Sequence, residues 1–292
     1  MTTNSGIATF RAGLVQMCAT RDPDQNLADA TRLIREAARA GAQYVQTPEV
    51  TTLIELDRNR LFSLISPEEG NPALSHFRAL AKELGIWLHI GSMAIKVSAD
   101  KLANRSYVIG SDGDIKARYD KIHMFDVDLP DGESYKESRN YKPGTTGVVV
   151  DLPWGRMGLT ICYDLRFPYL HRELAKAGAI FIAGPAAFTQ TTGEAHWHAL
   201  LRARAIETQC YVLAAAQTGM HEMGRATYGH SIIFGPWGET IAEAGTEPGI
   251  IVAEIDPALV MDVRGRVPSL THDRGFNVVV AAARMRPGRD IL

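Results

Sequence analysis

Met157-Gly158-Leu159-Thr160-Ile161-Cys162-Tyr163-Asp164-Leu165-Arg166-Phe167-Pro168 carries the pattern that decides the fold of this 292-residue chain. Its first five residues are uncharged and largely apolar and predict a buried strand. Pro168 then opens a helical pattern to about Ala177, because the fixed φ of proline suits a first helical turn. Cys162 therefore leaves a strand for a helix through a sharp turn. Such a turn exposes one side chain and frees backbone N–H groups beside it, which suits a nucleophile facing an oxyanion hole. A helix N-terminus also favours a thiolate. On position alone, the plainer reading of Cys162 as a small residue closing an apolar strand carries more weight.

The same alternation extends outward in both directions. Towards the N-terminus the pattern predicts strands over 12–17, 44–46, 86–90, 106–109 and 147–150, with helices over about 24–40 and 72–84. In the first helix Leu27, Ala30, Leu33, Ile34, Ala37 and Ala38 share one face, and Gly41 stands where a C-terminal cap belongs. Towards the C-terminus it predicts a strand at 180–182, a long helix over about 193–209, and strands near 211–216, 230–234 and 250–255. Continuously apolar strands suit a sheet covered on both faces, and strands alternating with helices mean a layered α/β domain.

Composition excludes several classes. Hydrophobic residues make up 46% and charged residues 22%, so the chain is not disordered. The charge is 31 − 33 = −2, unlike a protein built to neutralise phosphates. No nucleic-acid partner is expected. No run of 18 apolar residues offers a membrane span, and no leader pattern precedes the first strand. Three cysteines cannot form a disulfide framework. Cys18, Cys162 and Cys210 are expected to be reduced thiols in a cytoplasmic protein, with Cys18 and Cys210 as core residues. No linker divides the chain, so one domain over 1–292 is expected, with its core at about 10–283 and a tail over 284–292 that is mobile or packs on another subunit. The sequon Asn104-Arg105-Ser106 carries no meaning without secretion.

A cysteine nucleophile needs a base. Thr47-Pro48-Glu49 ends a predicted strand, where ligands of α/β proteins bind. Arg118-Tyr119-Asp120-Lys121-Ile122-His123 sets Lys121 among polar and aromatic neighbours. A carboxylate could take the thiol proton while an ammonium stabilises the oxyanion. Taken singly, each reads as a solvated surface charge.

In order, Pro48-Glu49, Tyr119-Asp120-Lys121 and Cys162-Tyr163-Asp164-Leu165-Arg166-Phe167-Pro168 resemble the nitrilase (carbon–nitrogen hydrolase) superfamily and its Glu-Lys-Cys triad. The likeness extends to Leu201-Arg202-Ala203-Arg204-Ala205-Ile206-Glu207, Tyr228-Gly229-His230-Ser231 and Pro236-Trp237-Gly238. Tyr163, where true nitrilases carry Trp, together with Phe125-Asp126-Val127 and Thr192-Gly193-Glu194-Ala195-His196-Trp197, most resembles the Nit branch, which holds deaminated-glutathione amidases and ω-amidases. The resemblance implies an α/β/β/α four-layer sandwich that pairs through its helical faces into a homodimer or larger homo-oligomer. The helices after Cys162 and at Arg202 to Gln209 are the faces concerned. It implies Cys162 as nucleophile, Glu49 as general base and then acid, Lys121 as oxyanion stabiliser, and Glu137 as the second glutamate orienting Lys121 or the deacylating water. Tyr169 departs from the family, which commonly has Glu there; only local helix packing is placed in doubt.

The implied reaction is thiolate attack on a primary amide of a small carboxylate-bearing metabolite, with Lys121 and the Tyr163 N–H holding the oxyanion. Ammonia leaves and water cleaves the thioester, without metal or organic cofactor. Arg166 either pairs with a substrate carboxylate or forms a salt bridge to Asp164 or another carboxylate. Tyr163, Phe188, Thr189 and Thr192 are implied pocket walls. The branch leaves deaminated glutathione and short α-ketoglutaramate-type amides as substrates, and the 192–197 and 202–211 stretches favour the first. N-carbamoyl or other aliphatic amides, and a catalytically silent scaffold of the same fold, are the remaining readings. His196 and His198 form an H-x-H pair, but residues two apart on a helix point away from each other, so no metal site is expected.

Overall fold

The computed structural model describes residues 8–129 and 132–280; the tail expected over 284–292 lies outside them. The chain runs β1 (Phe10–Gln16), α1 (Pro23–Arg39), β2 (Tyr44–Gln46), α2 (Arg58–Leu64), α3 (Pro72–Leu84), β3 (Trp87–Lys96), β4 (Leu102–Ile109), β5 (Ile115–Asp120) and the hairpin β6 (Asp126–Asp128) and β7 (Ser134–Lys136). The second half runs β8 (Val148–Leu152), β9 (Gly155–Leu159), α4 (Pro168–Lys176), β10 (Ala179–Ala183), α5 (Gln190–Thr208) and β11 (Tyr211–Ala214). It ends with the hairpin β12 (Thr218–Met220) and β13 (Ala226–Tyr228), then β14 (Ile232–Phe234), β15 (Thr240–Glu243), β16 (Gly249–Ile255) and α6 (Ala258–Arg266).

Two six-stranded sheets result, ordered β16-β1-β2-β3-β4-β5 and β15-β14-β11-β10-β9-β8. In each, three parallel strands (β1, β2, β3 and β9, β10, β11) are flanked by antiparallel ones. Helices α1 and α3 cover the first sheet, where Leu33, Ile34 and Phe77 bury against Val15, Val45 and Leu88. Helices α4 and α5 cover the second, with Leu170, Leu174, Leu201 and Ala205 in one core with Leu159 and Phe181. Between the sheets Phe10 stacks on Trp154 at 4.2 Å, and Tyr44 Oη reaches Met157 Sδ at 3.2 Å. The expected α/β/β/α order is therefore present.

Local chemistry explains the helix ends. The Asp22 carboxylate accepts from Asp24 N and Gln25 N ahead of α1, and the Asn71 amide oxygen accepts from Leu74 N ahead of α3. Each cap precedes a proline in the first turn. Helix α5 starts at Gln190, earlier than the predicted 193, because Thr189 caps it. Gly193 is tolerated inside it because a Cβ there would meet the Tyr228 ring at 2.3 Å. The strand expected from 230 begins at Ile232, since His230 has φ 53°, outside the extended region.

The parallel strands of both sheets point their carboxyl ends at one place. Strand β2 leads to Glu49, β9 to Cys162 and β10 to Ala187.

Candidate active site

Glu49 follows β2 and is buried. The chain there passes so close to β3 that a Cβ on Gly91 would lie 2.1 Å from Thr47 O and 2.5 Å from Pro48 O. Only glycine permits this approach. Glu49 Oε1 accepts from Lys121 Nζ and from Asn104 Nδ2, both at 2.9 Å, and Oε2 accepts from Ala187 N at 2.9 Å. Lys121, just beyond β5, is 2% exposed. Its ammonium also donates to Glu137 Oε1 and Oε2 at 3.1 and 2.9 Å. Glu137 is held in turn by Phe125 N at 2.7 Å and Asn104 Nδ2 at 3.2 Å. One buried cation is thus clamped between two carboxylates, and one asparagine ties the carboxylates together.

Cys162 has φ 49°, a left-handed conformation that L-residues avoid. Its N–H donates to Pro185 O at 2.9 Å, and Asp164 braces the turn from below. Fully buried Asp164 accepts from Ile161 N (2.9 Å), His123 N (3.0 Å), His123 Nδ1 (2.7 Å) and Tyr119 Oη (2.6 Å). Of the two readings of Arg166, the salt bridge to Asp164 is therefore not formed, and no other carboxylate among the described residues pairs with it. The Arg166 guanidinium reaches His196 Nδ1 at 3.2 Å and lies over the Tyr163 and Phe188 rings. Tyr169 packs on the same support: its hydroxyl hydrogen-bonds His123 Nε2, and the His123 ring stacks on Phe167.

The electrostatics follow from burial and this pairing. Burial alone would raise the Glu49 carboxyl, but the Lys121 ammonium offsets it and holds the group below its ordinary range. Burial likewise opposes the Lys121 charge, yet Glu137 and Glu49 together push its pKa well up. Burial and then the Glu49 charge push the Cys162 thiol well up. The resting centre is a carboxylate, an ammonium and a neutral thiol, with a base poised beside the thiol.

A cleft of about 420 Å³ opens over this centre. Tyr163, Arg166, Phe188, Thr189 and Thr192 all line it, as the sequence suggests, together with Glu49, Lys121, Glu137 and Cys162. The hydroxyls of Thr189 and Thr192 bond each other at 2.9 Å at the head of α5, so they are wall and cap at once. The sequence reading misses Asn104, Phe125, Tyr135, Tyr141 and Arg225, which also line the cleft. Asn104 was legible: a polar residue inside the apolar strand Leu102–Ile109 demands a partner. At 2% exposure it is also closed to glycosylation.

Cys210 is buried, as expected, with its thiol donating to Ala179 O at 3.2 Å. Cys18 departs from expectation. It is half-buried, with Sγ 3.7 Å from His221 Nδ1, because it follows β1 at the sheet margin. His196 and His198 do point apart. Among the described residues one group has metal-ligand spacing, His198, His230 and Glu243, which lies outside the cleft lining. Both imidazoles already bond Glu243 Oε1, at 2.8 and 3.1 Å.

Residues 11–264 match the carbon-nitrogen hydrolase family. The chain is a carbon-nitrogen hydrolase. This enzyme is 41% identical to the deaminated glutathione amidase of Yersinia enterocolitica over 270 residues, covering 91% of this chain and 94% of that one. The crystal structure of the Caenorhabditis elegans NitFhit protein superposes with a TM-score of 0.86 at 38% identity, covering 92% of this chain and 66% of that longer one. A glutamate-to-glutamine variant of an amidase from Nesterenkonia, solved after Michael addition of acrylamide to its active site cysteine, superposes at 0.74 with 26% identity, over 89% of this chain and 98% of that one. The hydrolase therefore acts on carbon–nitrogen bonds of amides, outside peptide chains.

Proposed function

We propose that this hydrolase cleaves deaminated glutathione through a cysteine acyl-enzyme. The observation that carries the reading is the Glu49–Lys121–Glu137 clamp set against a strained Cys162 at the floor of a cleft that is also lined by Arg139, Arg166 and Arg225. The likeness to deaminated glutathione amidases supports the substrate.

Glu49 takes the thiol proton as Sγ attacks the amide carbonyl carbon. The oxyanion forms between the Lys121 ammonium and the Tyr163 N–H, which need not reorganise because they are already fixed. Protonated Glu49 then delivers its proton to the leaving nitrogen. In deaminated glutathione that nitrogen belongs to a secondary amide, so the leaving group is the amine of cysteinylglycine, whereas a primary amide would release ammonia. Water, deprotonated by Glu49, attacks the thioester and frees the acid, 2-oxoglutarate, with Glu49 returning the proton to sulfur. Glu137 keeps Lys121 charged and in place throughout. Arg166, away from Asp164 and facing the cleft, is the residue for a substrate carboxylate on the leaving-group side.

The assay is 2-oxoglutarate release from deaminated glutathione and from α-ketoglutaramate, with Cys162→Ala as control. Preference for the first, abolished by the substitution, upholds the reading. Preference for the second moves the substrate to short ω-amides, and turnover that survives Cys162→Ala removes the nucleophile assignment.

We further propose one cytoplasmic domain that associates with copies of itself. Three unpaired thiols support the compartment. No described helix is long and apolar enough to cross a membrane. Tyr169 on α4, Ile206 on α5 and Trp237 are 61%, 51% and 62% exposed, which supports contact through the helices nominated from sequence.

A further inference from the structure

We infer that Arg225 anchors the carboxylate on the acyl half of the substrate, the half retained on Cys162 after the leaving group departs; this rests on the amidase reading above. Arg225 stands on the turn before β13 and lines the same cleft as Cys162. Its Nη2 donates to Ala187 O at 2.7 Å, and the N–H of that same Ala187 donates to Glu49 Oε2 at 2.9 Å. A single residue therefore separates the guanidinium from the catalytic carboxylate. The guanidinium lies 5.3 Å from the centre of the Tyr135 ring, which fixes its plane.

What it lacks is an anion. Among the described residues no carboxylate lies within salt-bridge distance of Arg225, and its Nε is buried without a hydrogen-bond partner. Arg105, Arg204 and Arg21 are paired, with Glu68 and Asp120, with Glu207 and with Glu55; Arg264 shares the unpartnered Nε, but it lies outside the cleft and gives its Nη2 to Ala179 O and Thr208 O. Glu49 and Glu137 are both engaged by Lys121, so neither is the missing partner. A buried donor with no acceptor is costly unless something supplies one. With Nη2 given to Ala187 O, the Nη1 group bonds no described residue and is the donor left for a carboxylate in the cleft, as one charge-assisted hydrogen bond.

The link through Ala187 assigns Arg225 to the shorter of the substrate's two arms. In a 2-oxoglutaryl amide the acyl carboxylate is four bonds from the carbonyl carbon that Cys162 attacks, whereas the glycine carboxylate of the leaving dipeptide is six bonds away on the other side. Arg225, one residue from Glu49, is placed for the short arm. Arg166, over the Phe188 ring and beside His196, is left for the long one. The acyl subsite should thus serve any amide with a carboxylate at that spacing.

The test compares glutaramate with pentanamide, the same chain with a methyl in place of the carboxylate. For Arg225→Gln the ratio of kcat/KM, glutaramate over pentanamide, should fall about 50-fold through KM, the loss of one charged hydrogen bond. Arg225→Lys keeps the charge and a reach to Ala187 O, and should lower the ratio about fivefold to tenfold; it carries the test if the glutamine variant does not fold. A ratio that stays at the wild-type value while both substrates slow together would show that Arg225 only props Ala187 and Glu49, and would overturn the anchor. The substrate reading fails separately: if wild type ignores deaminated glutathione but the ratio still falls, the anchor stands and the named substrate does not.

Discussion

Asp164→Asn tests whether the turn carrying Cys162 is held by charge. Each Asp164 oxygen accepts two donors: Oδ1 takes His123 N and Nδ1, and Oδ2 takes Ile161 N and Tyr119 Oη. An asparagine has one oxygen, so its NH₂ group must face one of those pairs. The Tyr119 hydroxyl can rotate to accept and His123 can change tautomer, but each pair also contains a backbone N–H that cannot turn. In either orientation one buried backbone donor is orphaned, and the charge that strengthened the remaining bonds is gone. At ~1–3 kcal/mol for the orphan and a similar loss from the charged bonds, the variant should lose about 3–5 kcal/mol. That is a large part of a total near ~5–15 kcal/mol. Calorimetry should show the melting temperature falling by roughly 6–10 °C, at about 2 °C per kcal/mol for a chain of this size. Tyr119→Phe alone should cost about 1–2 kcal/mol and, in the Asn background, under about 0.5 kcal/mol, because the hydroxyl has already lost its anionic acceptor. Turnover should drop more than about tenfold in Asp164→Asn although Glu49, Lys121 and Cys162 are untouched. A melting temperature within about 2 °C of wild type, or a Tyr119→Phe cost equal in both backgrounds, would refute the reasoning.

Three further outcomes follow from the same geometry. Gly91→Ala brings a Cβ to 2.1 Å from Thr47 O, and backbone must move; stability should fall by about 2–3 kcal/mol and kcat by more than stability predicts, since Glu49 moves with Thr47, and an unaltered kcat would reduce Gly91 to packing. Glu137→Gln should lower kcat by about 100-fold with KM nearly constant, the scale of losing one oxyanion donor, because Lys121 loses half its clamp; steady-state kinetics on one amide decides it. Glu49, Glu55 and Glu68 all have carboxyls held below their ordinary value of 4.5, against the opposing pull of burial, by Lys121, by Arg21 and by Arg118 with Arg105 respectively. A depressed carboxyl contributes stability that is complete above its unfolded value and is lost as pH falls through its folded value. The kcat/KM for an uncharged amide should therefore be level through neutral pH and decline only below 4.5, whereas the melting temperature should begin to fall near pH 6.5, because burial keeps His89, His171 and His221 neutral in the fold while the unfolded chain takes up their protons; a kcat/KM decline beginning near pH 6 would contradict the Glu49 assignment.

What was legible in the sequence was what has its cause nearby. The strand before Cys162, the elbow and the helix after it are written in twelve consecutive residues, and α1 and α3 are written in caps and prolines two or three positions from what they satisfy. Glu49 and Lys121 were legible only as members of an ordered set, because either alone is an ordinary charge. The early start of α5 was hidden by Thr191, Thr192 and Gly193, poor helix formers whose presence is explained by a cap at Thr189 and by Tyr228, which lies 35 residues ahead of Gly193.

Asn104 and Arg225 show the other limit. Asn104 answers to Glu49 and Glu137, which are 55 and 33 positions away, and Arg225 answers to Ala187 and Tyr135, on the second sheet's β10 loop and the β6–β7 hairpin. Nothing within ten residues of either explains its type. Asn104 alone carries a local sign, a polar side chain between the buried residues Leu102, Ala103 and Ser106; Arg225 follows exposed Gly224 and carries none. Burying such a group without a partner costs more than most single interactions return, so a buried polar residue implies a distant one even where the sequence cannot say which. Asn104 resolves this within the chain, by joining two carboxylates to one ammonium. Arg225 resolves it only halfway, through Ala187, and it lines the cleft in which the substrate must lie.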